Sequence, residues 1–132
     1  MKILVTGACG KLGRALRRAT ARDLNFIPFD VAEQVVAEGG VRASIADRDA
    51  VLRAAGGCDA IVHLATTNCA MVEGKERSSL WLETETIGAD NLFQAAIEHG
   101  VRRVVFASSI MVHFNVAWNY GHAVIDESLP VC

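Results

Sequence analysis

Apolar and polar positions along this chain fall into two alternating kinds of segment. Short runs dense in aliphatic and β-branched residues read as strands: Lys2–Val5 (KILV), Asn25–Asp30 (NFIPFD), Val41–Ser44 (VRAS), Asp59–Leu64 (DAIVHL) and Val101–Ala107 (VRRVVFA). Between them, apolar residues recur every three or four positions. Arg14–Arg22, Arg48–Ala55 and roughly Ser79–His99 read as helices, with Leu12, Leu16 and Ala19 on one face of the first and Arg14, Arg17 and Arg18 on its solvated face. Asp47 is placed to cap the second helix and Gly100 to stop the third. Val31–Gly40 fits either a short helix or a loop. Near-continuous apolar strands alternating with helices imply a parallel sheet covered on both faces. Right-handed crossovers then predict an α/β fold, a Rossmann-type doubly wound sheet of about five strands with its ligand at their C-terminal ends.

The junction of the first strand and first helix carries three evenly spaced glycines, in Val5-Thr6-Gly7-Ala8-Cys9-Gly10-Lys11-Leu12-Gly13-Arg14. Strand, glycine turn and helix in this order is the context in which such glycines bind a dinucleotide. Gly7 turns the chain off the strand, Gly10 keeps a Cβ out of the path of a phosphate, and Gly13 lets helix and strand pack closely. A diphosphate would then rest on the first helical turn, over Gly7, Gly10, Lys11, Leu12 and Gly13, where unpaired N–H groups and the helix dipole favour an anion. The second strand ends at Asp30, seventeen positions after Gly13. A carboxylate there accepts both hydroxyls of an adenosine ribose and repels a 2′-phosphate, so NAD is expected over NADP.

Composition narrows the function classes. With 132 residues and 52% hydrophobic content the chain can build one core, so 1–132 is expected to be a single dinucleotide-binding domain with no second domain. A net charge of −2 gives no footprint for nucleic acid or an acidic membrane surface. No apolar run reaches spanning length, and the chain enters its first strand at once, without a signal-peptide core, so a cytoplasmic setting is expected. Cys9, Cys58, Cys69 and Cys132 show neither C-x-x-C nor zinc-like spacing. They are expected as reduced thiols, with no metal site, and Cys9 as a small loop residue rather than a redox group.

These segments together resemble the N-terminal, NAD-binding half of an extended short-chain dehydrogenase/reductase, the NAD-dependent epimerase/dehydratase family. Thr6–Gly13 matches the family's T-G-x-x-G-x-x-G. Asp59–Ala65 (DAIVHLA) matches its fourth strand and following loop. Ile87–Ala96 (IGADNLFQAA) matches the helix motif V-x-G-T-x-N-L-L-x-A, and Val104–Ser109 (VVFASS) the fifth strand with its serine pair. The resemblance implies NAD as cofactor and hydride transfer at a hydroxyl or carbonyl of a sugar or sugar nucleotide, as a dehydrogenase, epimerase or dehydratase. The I-G-A-x-N-L and V-F-A-S-S patterns stand closer to members acting on free uronic acids or aldoses. Carried over residue by residue, Leu64, Ala65 and Thr66 would line the cofactor, mostly through backbone. Ser44 and Ile45 would flank the adenine, with Ser44 standing where the family often has Asp. Ser109 aligns with the catalytic Ser/Thr that hydrogen-bonds the reacting oxygen, and Ser108 would lie beside it against the cofactor. The implied partner is a small carbohydrate, and the implied assembly a homodimer.

Two departures and one missing pair qualify the match. The family's Asn before V-x-G-T is Glu85 here, and its V-Y-G after the serines is Val112-His113-Phe114. The family's acid/base pair, Tyr-x-x-x-Lys on one helical face, has no counterpart: the single tyrosine, Tyr120, is followed four positions later by Val124. The family places that tyrosine just past Cys132, and Asp126–Pro130 resembles the segment that precedes it. The chain is therefore expected to be part of a longer enzyme. The alternative is a catalytically silent NAD(H) sensor or interaction protein of the same fold.

Overall fold

Alternate residues of the first strand enter two separate cores. Ile3 and Val5 pack on one face with Ala8 and Ala60, joined by Leu16 of the first helix and by Phe26, Val62 and Leu64. Leu4 points the other way, into a larger core with Phe29 and Ile61 of neighbouring strands and Val51, Ala55, Leu92, Ala95 and Ala96 of two helices. This period of two, with both faces apolar, is what a central parallel strand requires.

The computed structural model describes residues 1–19, 24–67, 74–109 and 112. Its strands are β1 (Lys2–Thr6), β2 (Asn25–Asp30), β3 (Val41–Arg42), β4 (Ala60–His63) and β5 (Val104–Phe106). They form one sheet in the order β3-β2-β1-β4-β5, with every neighbouring pair parallel. The helices are α1 (Lys11–Ala19), α2 (Gln34–Ala37), α3 (Arg48–Ala55), α4 (Gly74–Trp81) and α5 (Gly88–Glu98), and a π turn, Leu82–Ile87, joins α4 to α5. The fold is the Rossmann-type α/β sheet that the hydrophobic pattern predicts. The chain steps outward from β1 to β3, then returns across its own start to β4. The reversal opens a crevice between β1 and β4 at the strands' C-terminal edge, where ligands of such sheets bind.

Local chemistry sets several boundaries. The Asp47 carboxylate accepts from the Ala50 N–H at 3.0 Å and starts α3 where expected. Gly100, with φ of 65°, ends α5 in the left-handed conformation that glycine adopts without strain. Val31–Gly40 resolves as the short α2 with loops on either side.

Other boundaries move. The first helix begins at Lys11, not Arg14, because the glycine turn feeds directly into it; residues 20–23, the end of the expected Arg14–Arg22 helix, lie outside the described residues. β3, β4 and β5 are shorter than the apolar runs that announced them, although Ala43, Asp59, Leu64 and Ala107 at their edges each still donate a backbone bond to the neighbouring strand. The helix expected from Ser79 starts at Gly74 and is interrupted by the π turn. β5 pairs on one side only among the described residues, leaving Val105 and Phe106 about half exposed.

Candidate functional site

The glycine turn brings β1, β2, β4 and α1 together at one point. Gly7 takes φ of 68°, and a Cβ there would lie 2.6 Å from the Ala65 nitrogen and from the Leu64 carbonyl. A Cβ on Gly13 would lie 2.5 Å from the Gly7 carbonyl oxygen and 2.7 Å from the Ala8 Cα. Gly13 thus seats α1 on the turn itself rather than on the strand. Gly10 is exposed, donates to the Gly7 carbonyl at 3.0 Å and accepts from Arg14 N–H at 3.0 Å. That last bond is the first of the helix. The N–H groups of Lys11, Leu12 and Gly13 meet no acceptor among the described residues, which is the condition of a helix N-terminus able to hold an anion.

Asp30 closes this turn from the β2 side. Its Oδ2 accepts from the Cys9 N–H at 2.8 Å and its Oδ1 from the Ala32 N–H at 2.9 Å. The carboxylate ties the glycine turn to the end of β2, and each oxygen keeps a lone pair for a further donor. The Cys9 thiol is pushed above its ordinary range, first by burial and then by the Asp30 and Glu38 charges. It stays protonated, in keeping with a packing role.

Arg17 departs from the expected solvated face. Its guanidinium donates to the Ala8 carbonyl at 3.1 Å and pairs with Glu38, just past α2, so it braces the glycine turn from below. Arg14 and Arg18 are exposed as expected. Leu12, expected on the apolar face of α1, is 65% exposed, because only Gly13 and Leu16 reach the core from the first two turns.

The β4 side supplies the other wall. Leu64 N–H donates to the Thr6 carbonyl at 3.1 Å and Ala65 N–H to the Thr6 hydroxyl at 3.4 Å. The Thr66 hydroxyl and Thr67 N–H both donate to Glu85 Oε1, at 2.9 and 2.7 Å. Ser108 and Ser109 are exposed just beyond β5, on the same edge of the sheet, and the Ser109 carbonyl accepts from Val112 N–H at 3.2 Å. Ser44 and Ile45 lie farther out, past β3. The Ser44 hydroxyl accepts from Ala46 N–H at 3.1 Å. The Ile45 side chain is buried in the larger core, and its carbonyl accepts from Asn91 at 3.1 Å. His113, Tyr120, Cys69 and Cys132 lie outside the described residues.

Sequence reasoning passed over a buried polar pair beneath this site. Thr6 and His63 are direct partners in the β1–β4 register, and Thr6 Oγ1 lies 2.7 Å from His63 Nδ1. The Thr6 oxygen also accepts from Ala65 N–H, and with one proton and two lone pairs the hydroxyl can meet Nδ1 in either imidazole tautomer. The imidazole also packs on Phe106, ring centroids 4.8 Å apart. A histidine inside an otherwise apolar strand was the available signal.

Burial pushes the His63 pKa below its ordinary 6.5, against the upward pull of the Glu85 carboxylate. Below pH 6.5 the unfolded chain binds a proton at this residue that the folded chain still refuses, so stability present above that pH is lost as pH falls through the window beneath it. Melting temperatures in a pH series should therefore decline below pH 6.5, and His63→Gln should flatten that part of the decline. The same acid slope in the variant would show that the proton is taken up elsewhere.

A second hollow, of about 650 Å³, lies at the opposite, N-terminal edge of the sheet, lined by Met1, Asp59, Arg102 and Arg103 among others. It has no helix N-terminus and no tie to the strand crossover. The chemistry described above gathers at the other edge.

Comparison with known proteins bears on this geometry. The model of the NAD dependent epimerase/dehydratase family matches residues 3–114. The chain is 38% identical over 112 residues to uronate dehydrogenase of Agrobacterium fabrum, covering 82% of this chain and 40% of that protein. It is 36% identical over 114 residues to 2-alkyl-3-oxoalkanoate reductase of Stenotrophomonas maltophilia, covering 83% and 33%. Among solved structures, a mutant of uronate dehydrogenase from Agrobacterium tumefaciens complexed with NAD superposes with a TM-score of 0.68 at 34% identity, over 84% of this chain and 42% of that one. A short-chain dehydrogenase/reductase superfamily protein from the same organism with bound NAD gives 0.74 at 33% identity, over 86% and 34%. The chain thus spans between a third and about two fifths of the length of these curated relatives. No helix among the described residues is long and apolar enough to cross a membrane.

Proposed function

The chain belongs to the NAD dependent epimerase/dehydratase family, and from that premise we propose that it forms the NAD-binding part of a dehydrogenase acting on a free uronate or a related sugar. The observation that carries the proposal is the first turn of α1. Three backbone N–H groups that meet no acceptor among the described residues stand at the β1–β4 crevice, beside a carboxylate at the end of β2. NAD when bound supplies the hydride acceptor. The N–H groups of Lys11, Leu12 and Gly13 hold the diphosphate, and Gly7 and Gly10 leave room for it. Asp30 receives the ribose hydroxyls, Ser44 and Ile45 border the adenine, and Leu64, Ala65 and Thr66 form the wall on the β4 side. Ser109, with Ser108 beside it, hydrogen-bonds the substrate oxygen, since a hydroxyl both donates and accepts. This chain carries no Tyr-x-x-x-Lys, so proton transfer falls to the part of the relatives' length that it does not span. The uronate and sugar dehydrogenases among the relatives support the substrate class.

The test is reduction of NAD by the protein carrying this chain, offered a free hexuronate, an aldopentose and a nucleotide-linked sugar. NADH formation with the free sugars is the expected result. Turnover of the nucleotide-linked sugar alone would overturn the substrate class, and NAD binding without turnover of any sugar would favour a sensor.

Cofactor choice gives a sharper check. Asp30→Ala removes both the ribose acceptor and the tie to Cys9 N–H. It should weaken NAD binding about 10- to 100-fold, the equivalent of losing roughly 1.5–3 kcal/mol of charge-assisted hydrogen bonding. NADP should be affected less. Calorimetric titration of both cofactors decides, and a wild-type protein that binds NADP as tightly as NAD would contradict the role given to Asp30.

A further inference from the structure

Glu85 stands on the π turn between α4 and α5, half-buried, and one of its oxygens does two things at once. Oε1 accepts from the Thr66 hydroxyl at 2.9 Å and from Thr67 N–H at 2.7 Å. The Thr67 hydroxyl donates in turn to the Leu80 carbonyl at 3.4 Å, on α4. The residues leaving β4 are therefore held at both ends. Leu64 and Ala65 are bonded to Thr6, next to the glycine turn, while Thr66 and Thr67 are bonded to Glu85.

The π turn explains how a helix residue reaches this strap. Each residue advances an α-helix by about 100°, so one inserted residue rotates the upstream helix face relative to the downstream face. Downstream, Leu92, Ala95 and Ala96 of α5 remain in the core. Upstream, Glu85 faces the strap rather than continuing that buried stripe. Insertions of this kind are energetically poor helix and recur where a side chain must be placed. The placed group here is a carboxylate, where the family pattern carries an amide. Its bonds are charge-assisted and correspondingly strong.

We infer that Glu85 is a positioning residue of the nucleotide site: through Thr66 and Thr67 it fixes the strap Leu64–Thr67 in the shape against which the dinucleotide lies. The inference rests on the proposed NAD binding. The strap borders the β4 half of the crevice, away from Asp30 and the end of β2, so Glu85 governs the nicotinamide half of the ligand and not the adenosine half. Without the carboxylate the strap samples other conformations, and the apparent dissociation constant rises in inverse proportion to the competent fraction.

Calorimetric titration of the protein carrying this chain with NAD and with ADP tests this. Glu85→Ala should raise the Kd for NAD about tenfold, as for a strap competent roughly one tenth of the time. Glu85→Gln, which keeps the Oε1 acceptor without the charge, should restore binding to within about threefold, because both donors still find a partner. ADP, which reaches only the adenosine and diphosphate positions, should bind all three proteins alike. Equal NAD binding by wild type and Glu85→Ala would overturn the inference, and so would an equal loss for ADP or a failure of Glu85→Gln to rescue. Absence of NAD binding by the wild type would instead overturn the nucleotide site itself, and this inference with it.

Discussion

Replacing Gly10 with valine is expected to abolish NAD binding while leaving the domain folded. Gly10 is exposed and its φ lies outside the left-handed region, so its backbone suits any residue. A Cβ there would meet only the Gly7 carbonyl oxygen, at 3.1 Å, and no core side chain. The residue immediately precedes the N–H groups of Lys11 and Leu12, however, and a branched side chain fills the space through which an anion must approach them. Losing even one or two charge-assisted hydrogen bonds costs about 3 kcal/mol, a hundredfold or more in affinity. Thermal melting with and without NAD separates the two effects, because a ligand that binds only the folded state raises its stability. The variant should melt near the wild type without NAD and gain nothing from its addition. Unchanged affinity would mean that the phosphates lie elsewhere.

Gly13 should behave in the opposite way. Gly13→Ala places a methyl 2.5 Å from the Gly7 carbonyl oxygen, 2.6 Å from the Ala8 carbonyl oxygen and 2.7 Å from the Ala8 Cα. These are backbone atoms of a turn that is fixed by its bonds to Asp30 and Phe29. They cannot swing aside as a side-chain tip would, so α1 must lift from the turn and draw Leu16 from its core. Overpacking of this kind costs about 3 kcal/mol. A fall in melting temperature of roughly 10 °C is expected for a domain of this size. A Gly13→Ala protein melting with the wild type would show that α1 does not sit on the turn as described.

The contrast between these two glycines marks how far the sequence could be read. Their spacing points to the proposed phosphate-binding turn, but which glycine has open space beside it and which is packed against backbone depends on neighbours distant in sequence. The same division runs through the fold. Asn25–Asp30 and Arg48–Ala55 were legible to the residue, because local signals bound them: β-formers ending at an aspartate, and an Asp47 cap ahead of a periodic run. The ends of β3 and β5 were not, since a strand stops where its neighbour stops. The π turn was hidden because the apolar spacing before α5 is weak, and the contact that rewards it comes from Thr66 and Thr67, about twenty positions earlier. Arg17 read as a surface arginine because its partners, Ala8 and Glu38, meet it only in the folded chain. His63 hid inside an apolar strand, and its pairing with Thr6 comes from register alone. Composition and periodicity thus carried the architecture and the position of the crevice, while the polar contacts that shape it came from tertiary structure.

The most direct test of the central claim is a crystal structure of the protein carrying this chain, grown with NAD. The diphosphate should lie within hydrogen-bonding distance of the N–H groups of Lys11, Leu12 and Gly13, with the adenosine ribose on the Asp30 carboxylate and the strap Leu64–Thr67 along the other half of the ligand. A dinucleotide found instead at the opposite edge of the sheet, against Arg102 and Arg103, or none bound at saturating NAD, would contradict it.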